Sequence, residues 1–172
     1  MKINNFKSRL RDGGARPNQF EVSINFPSAT GQLLGSDDML LVSGAALPAS
    51  TVNPVITQFR GREVKMAGER IFDPWTITVV NSADFKVRHA FEQWMEKMNN
   101  KTDNSGTLAP EDYWGSADVF HLDRNDNKLT HARYKLEHLF PINMSEVALQ
   151  YAQNDIIEEF TVTFQYSHYT VV

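Results

Sequence analysis

From Phe160 to Ser167 the chain alternates without a break, Phe160, Val162, Phe164 and Tyr166 interleaved with Thr161, Thr163, Gln165 and Ser167. Only an extended segment sorts residues of period two onto opposite faces, so this stretch is a strand with one face in a core and one outside it. The pattern assigns Glu159 to Val172 to one long closing strand. Phe20, Val22, Ile24 and Phe26 alternate with Glu21, Ser23 and Asn25 in the same way, and Trp75 to Val80 is rich in Thr, Ile and Val. A chain that repeats this pattern is strand-rich.

The remaining segments fit around those strands. Met39 to Leu47, ended by Pro48, reads as a second, more apolar strand after a polar connection from Pro27 to Asp38. Val55–Phe59 and Val64–Met66, separated by Gly61, read as an extended hairpin within about 48–68. Val119–Leu122 and Leu129–Leu136 flank a tight polar segment, Asp123 to Lys128. Pro141 bends the chain before a further strand segment, Val147 to Tyr151. One helix is expected, near 83–98, capped by Asn81 or Ser82 with Asp84 in its first turn. Val87, Ala90, Phe91, Trp94, Met95 and Met98 form its buried stripe, core packing against a sheet and not a cofactor box. Asn99 to Asp112 reads as a surface loop, and 172 residues suit a single domain, 1–172.

Charge is unevenly spread. Residues 1–20 carry five cations, Lys2, Lys7, Arg9, Arg11 and Arg16, against Asp12 alone, so they hold +4 of a total of -4 and leave -8 to the rest. The last 36 residues contain no Lys or Arg. A basic N-terminal arm of about 1–16 could contact phosphate, but Phe6 is its one stacking aromatic and the body is acidic. Docking on an acidic neighbour of the same kind is the better reading. At 41% hydrophobic and 22% charged the composition excludes wholesale disorder. With no cysteine there is no disulfide framework, thiolate zinc site or cysteine nucleophile. No run of 18 apolar residues suggests a membrane helix, and Met1 to Leu10 lacks the apolar core of a secretory signal, so a soluble protein made in a cytoplasm is expected.

Motifs for chemistry are sparse. No phosphate loop, dinucleotide fingerprint or Gly-x-Ser-x-Gly elbow is present. His121 and His131 would face each other if the Asp123–Lys128 turn closed evenly, with Asp123 on the same face as His121, but two imidazoles do not make a metal site. The carboxylate pairs Asp37–Asp38 and Glu158–Glu159 would point to opposite faces of a strand, which suits solvation better than acid–base work. The sequons at Asn100 and Asn143 are read as chance. No catalytic, cofactor-binding or metal-binding residues are assigned.

Ala15, Arg16, Pro17, Asn18, Phe20 and Val22, then Leu47, Pro48 and Ala49, then Arg62, Ala67, Gly68, Arg70, Phe72, Asp73, Trp75, Thr76, Thr78 and Val79 resemble the tail tube protein family of contractile-tailed bacteriophages. The resemblance continues through Asn81, Arg88, Phe91, Trp94, Phe140, Pro141 and the acidic final strand. Phe140 stands where this family often has Trp, and the Pro27–Asp38 connection is longer than usual. The resemblance implies two packed antiparallel sheets, sandwich- or barrel-like, with one flanking α-helix. It also implies homo-hexamer rings stacked head-to-tail into a virion tail tube that meets sheath, baseplate and tail terminator proteins and passes genome DNA without binding it specifically. Both a main tube subunit and a baseplate tube initiator fit, and a small ligand-binding or nucleic-acid-binding β-domain is the reading from another class. Strand edges would close in the ring, and residues 1–14 and about 48–68 would order against neighbours. Thr161, Thr163, Gln165 and Ser167, with Glu159 nearby, would line a lumen that must be neutral or acidic, or else be buried against a neighbouring subunit or the sheath.

Overall fold

The computed structural model describes residues 3–10, 14–30, 34–35, 37–152 and 154–172. Among these, the strands are β1 Phe20–Asn25, β2 Val42–Ala45, β3 Ser50–Phe59, β4 Arg62–Phe72, β5 Trp75–Val80, β6 Gly115–Leu122, β7 Lys128–Met144, β8 Glu159–Gln165 and β9 His168–Val171. The α-helices are α1 Ile3–Arg9 and α2 Lys86–Met98. Every ladder is antiparallel. One layer runs β1-β6-β7-β9, the other β7-β8-β5-β2, and β3 pairs only with β4. The fold is therefore the expected mainly β arrangement of two antiparallel sheets with a helix on the core.

The two layers meet through the apolar alternates of their strands. Val22 and Ile24 of β1, Ala117 and Val119 of β6, and Leu136 of β7 face Trp75, Ile77 and Val79 of β5 and Phe160, Val162 and Phe164 of β8 in one buried cluster. Helix α2 adds Val87, Ala90, Phe91 and Trp94, four members of the stripe read from the sequence. Phe164 sits at the aromatic centre, its ring centroid 5.6 Å from Trp75, 5.8 Å from Phe91 and 6.2 Å from Trp94. Both buried indoles donate their N–H to a backbone carbonyl, Trp75 to Ala46 at 2.6 Å and Trp94 to Tyr113 at 2.8 Å, so neither polar atom is left unpaired.

Strand β7 is longer than the Leu129–Leu136 segment legible in the sequence, because it serves both layers. Its first part pairs β6 and β9, and Phe140–Met144 pairs β8. The change of partner is made at His138, in the left-handed region at φ 55°, the extra residue of a bulge opposite Gly115 and Ser116. Gly115 is required there: a Cβ would lie 2.5 Å from the Asn25 carbonyl oxygen and 2.7 Å from the Trp94 ring. Pro141 bends the strand without ending it, beside the second bulge, between Pro141 and Asn143.

Four expectations are corrected. Glu159–Val172 is two strands, not one: Tyr166, buried, donates its hydroxyl to Ala49 O at 3.2 Å, Ser167 N donates to Glu137 O at 3.0 Å, and the chain passes there from one layer to the other. Met39–Leu47 is a 3-10 helix, Asp37–Leu41, followed by the short β2. Met39 and Val42 are both buried at a spacing of three, which a 3-10 turn satisfies and a strand does not. Val147–Tyr151 is a loop. Helix α2 starts at Lys86, with Phe85 in the left-handed region at its N-cap and no side-chain cap. Asn81 instead ties the chain to Glu158, and Asp84 Oδ1 accepts from Lys86 N at 3.2 Å. Within the arm, residues 3–9 form α1, while residues 1–2 and 11–13, like 31–33 and 36 of the Pro27–Asp38 connection, lie outside the described residues.

Truncating the aromatic centre should be costly. Phe164→Ala should lower unfolding free energy by about 3–5 kcal/mol, whereas Ile56→Ala on exposed β3 should change it by no more than about 0.5 kcal/mol. Denaturant unfolding of the unassembled subunit checks both.

Candidate assembly surfaces

The two layers turn chemically different faces outward. On the β1-β6-β7-β9 layer the register sets Glu21, Phe120 and Arg133 in one row and Ser23, Asp118 and Lys135 in the next. Ion pairs knit this face: Lys128–Glu21 at 2.8 Å, Arg133–Asp118 at 2.9 Å and Lys135–Glu137 at 2.6 Å. The Phe120 ring lies beneath Lys128 Nζ at 3.8 Å.

The β7-β8-β5-β2 layer turns out hydroxyls. Thr76 pairs with Thr163 and Thr78 with Thr161, and the Thr76 and Thr163 hydroxyls share a 2.9 Å hydrogen bond. Ser43, Gln165 and Asn143 extend the face. Across β2, β5, β8 and residues 140–144 the single charged residue is Glu159, which accepts from Ser43 Oγ at 3.2 Å. Ser167, grouped with this face in the sequence reading, belongs to the corner between β8 and β9.

The β3–β4 hairpin projects from the body. Its root is fixed by Phe72, edge-on to Tyr169 at 5.7 Å and tilted on Tyr166 at 5.9 Å, and by the Ser50 and Tyr169 hydroxyls 3.3 Å apart. Beyond the root both faces are exposed, Phe59 to 64%. Val55, Phe59, Val64 and Met66 share one face by register. A two-stranded ribbon with an exposed apolar face is marginal alone and marks a contact surface. A second apolar patch lies on the loop between β7 and β8, where Leu149, Tyr151, Ile156 and Ile157 are exposed.

The residues weighed for chemistry are placed apart or used structurally. His121 pairs with Phe20 on β1, and the irregularity between Phe120 and Leu122 leaves His131 out of register with it, at φ 65°. No group of three His, Asp or Glu among the described residues is placed to hold a metal. Asp123 closes its own turn, accepting from the Asn125 and Asn127 amides at 2.7 and 2.9 Å. Asp38 accepts from Gly35 N and Lys86 Nζ, both at 2.7 Å, Glu158 from Asn81 Nδ2 at 2.7 Å, and the Asp37 side chain lies outside the described residues. What sequence reasoning missed is the 145–158 loop as a surface; the signal was Leu149, Tyr151, Ile156 and Ile157 with no alternation to bury them.

The sandwich with one ionic face, one hydroxyl face and an unsupported hairpin is a structural assembly subunit. The chain belongs to the phage tail tube protein family, whose model matches residues 15–172. It is 32% identical to tail tube protein gp19 of Enterobacteria phage T4 over 149 residues, covering 87% of this chain and 86% of that one. It is 25% identical to the tail tube protein of Serratia phage KSP90 over 167 residues, covering 95% and 93%. Among solved structures, the fold matches a chain of the anti-feeding prophage baseplate (TM-score 0.63, 12% identity, 92% of this chain and 95% of that one) and a chain of the sheath-tube complex of the PVC extracellular contractile injection system (TM-score 0.62, 12% identity, 96% and 97%). The chain is thus a structural component of the virion tail tube.

Hydrogen bonds to the Asn127 amide first, then to its side chain and the Asn125 amide, hold the Asp123 carboxyl below the usual carboxylate value. A lowered folded pKa stabilises the turn above the ordinary value near 4 and ceases to do so as pH falls through the folded one. The Asn125 and Asn127 amide NMR resonances should therefore shift on acidification below about pH 4, and Asp123→Asn, which keeps an acceptor but no charge, should abolish that titration.

Proposed function

We propose that the chain is the main subunit of a hollow tail tube, assembled as hexameric rings stacked head-to-tail, and that the hydroxyl face of the β7-β8-β5-β2 layer lines the lumen. The face free of cations carries this reading. Each Lys or Arg that touched DNA would add affinity through counterion release and turn a passage into a binding site, whereas Thr, Ser and Gln give a wetted wall and Glu159 repels phosphate. Strands β1 and β2 end the strand path, and joining them to neighbours around a ring covers those two edges. The opposite, ion-paired face looks outward. The relatives' names support the main tube over a baseplate initiator, and neighbours from a baseplate, a sheath-tube complex, a sheath/tube terminator and a tube-terminating cap support sheath, baseplate and terminator partners. The chain folds as one domain, 1–172, works mechanically without catalysis, cofactor or metal, and is made in the cytoplasm of the host bacterium. No described helix is long and apolar enough to cross a membrane.

Electron microscopy of the purified chain should show sixfold rings and tubes; a monodisperse monomer at high concentration overturns the proposal. Thr163→Lys should still assemble, with tubes that retain DNA in a salt-dependent way. Loss of assembly by this variant would place Thr163 in a subunit contact and refute the lumen assignment. Deleting residues 1–12 should leave the fold intact and shorten the tubes, as measured by the same imaging.

A further inference from the structure

The two exposed apolar patches leave one sheet from opposite ends. Strand β5 runs from Trp75 to Val80, about 20 Å at the rise of a strand. At its Trp75 end lie Phe72 and Asp73, which close the β3–β4 hairpin, Asp73 N donating to Ala49 O at 3.3 Å. At its Val80 end lies the start of β8, paired Val80 to Glu159, and Asn81 N donates to Glu158 O at 2.8 Å. Hairpin and β7–β8 loop are therefore rooted at opposite ends of β5. Translation along the strands brings the hairpin end of one copy toward the loop end of the next.

Their chemistry matches. The hairpin tip is Phe59-Arg60-Gly61-Arg62, with the Arg60 guanidinium 5.4 Å from the Phe59 ring centre and a turn held by left-handed Arg60 and Gly61. The loop is acidic and apolar: residues 145–158 hold Glu146, Asp155 and Glu158 and no cation. An open concavity of about 800 Å³ is lined by Leu149, Tyr151 and Ile156 together with Glu158 and Glu159. A basic, aromatic tip and an acidic, apolar pocket complement each other in both charge and hydrophobicity.

We infer that the β7–β8 loop is the receptor for the hairpin tip of a second copy of this chain in the adjacent ring, with Phe59 on Tyr151 and Ile156 and with Arg60 and Arg62 against the loop carboxylates. Donor and receptor are different surfaces at opposite ends, so the contact is heterologous and repeats without limit, as a stack of rings needs. The inference rests on the tube reading above and assigns the partner of its hairpin.

Because the chain has no cysteine, single thiols report the contact cleanly. Arg60→Cys and Tyr151→Cys are prepared separately, co-assembled, treated with a short bismaleimide and separated on denaturing gels, with the same samples imaged. The mixture should give a cross-linked dimer that either variant alone does not, and dilution to free subunits should abolish it. Tubes without a mixed-variant cross-link overturn the receptor assignment while leaving the tube reading standing; absence of rings and tubes in the unsubstituted chain overturns both. A charge exchange provides an independent check. Arg60→Glu with Arg62→Glu should leave rings but abolish tubes, and adding Glu146→Arg with Asp155→Arg in the same chain should restore them. Tubes that survive the arginine substitutions alone, or a pairing that fails to restore them, count against the contact.

Discussion

One strand, β7, holds the two layers to each other. Its 17 residues pair with β6 on one side throughout the first layer and with β9, then β8, on the other. Everything that follows depends on the corner at His138, because this left-handed residue, bulged opposite Gly115 and Ser116, turns the strand and the ladder resumes on either side of it. Without that corner, β9 would continue β8 in one flat sheet and the core around Phe164 would have a single wall. The cost of the corner is local and backbone-based; its return is a core in which Trp75, Phe91, Trp94 and Phe164 meet edge and face.

Once the layers are fixed, the alternates that do not enter the core are sorted without further specification. Arg133, Lys135 and Glu21 emerge on one exterior, with Asp118 buried beneath its ion pair to Arg133, and Thr76, Thr78, Thr161 and Thr163 emerge on the other. Surface ion pairs of this type contribute little to stability, about 0–1 kcal/mol each, so their segregation is better understood as a property of the surfaces than of the fold. A subunit of a tube needs an inner wall that does not hold a polyanion and an outer wall that can meet another protein. A sandwich with two unlike exteriors meets both needs.

The hairpin and the β7–β8 loop stand outside that economy. Beyond the root residues Phe72 and Val147, which pack on the core, the large apolar side chains of both stay outside it, and Phe59, Tyr151 and Ile156 are in solvent. An isolated soluble protein gains nothing from such exposure, and an assembling one needs it. The antiparallel order of β5 and β8 sets these two features at opposite ends, which gives the subunit a direction.

The sequence by itself determined the strands whose apolar residues recur every second position, the stripe of α2 from Val87 to Trp94, the charge asymmetry and the family resemblance carried by Arg62 to Trp94. These are local regularities, set by side-chain period and composition, and they persist whatever the chain folds against. The alternation at Thr161, Thr163 and Gln165 even separated the outer face of β8 from its core face. What only the tertiary structure decided was where patterns break and which ends meet: the split of the last strand at Ser167, the 3-10 turn in place of a strand at Met39, the misregister of His121 and His131, and the placement of the hairpin opposite the β7–β8 loop. Those depend on bulges, left-handed residues and partner changes, which are produced by contacts between residues far apart in the chain and leave no periodic mark along it.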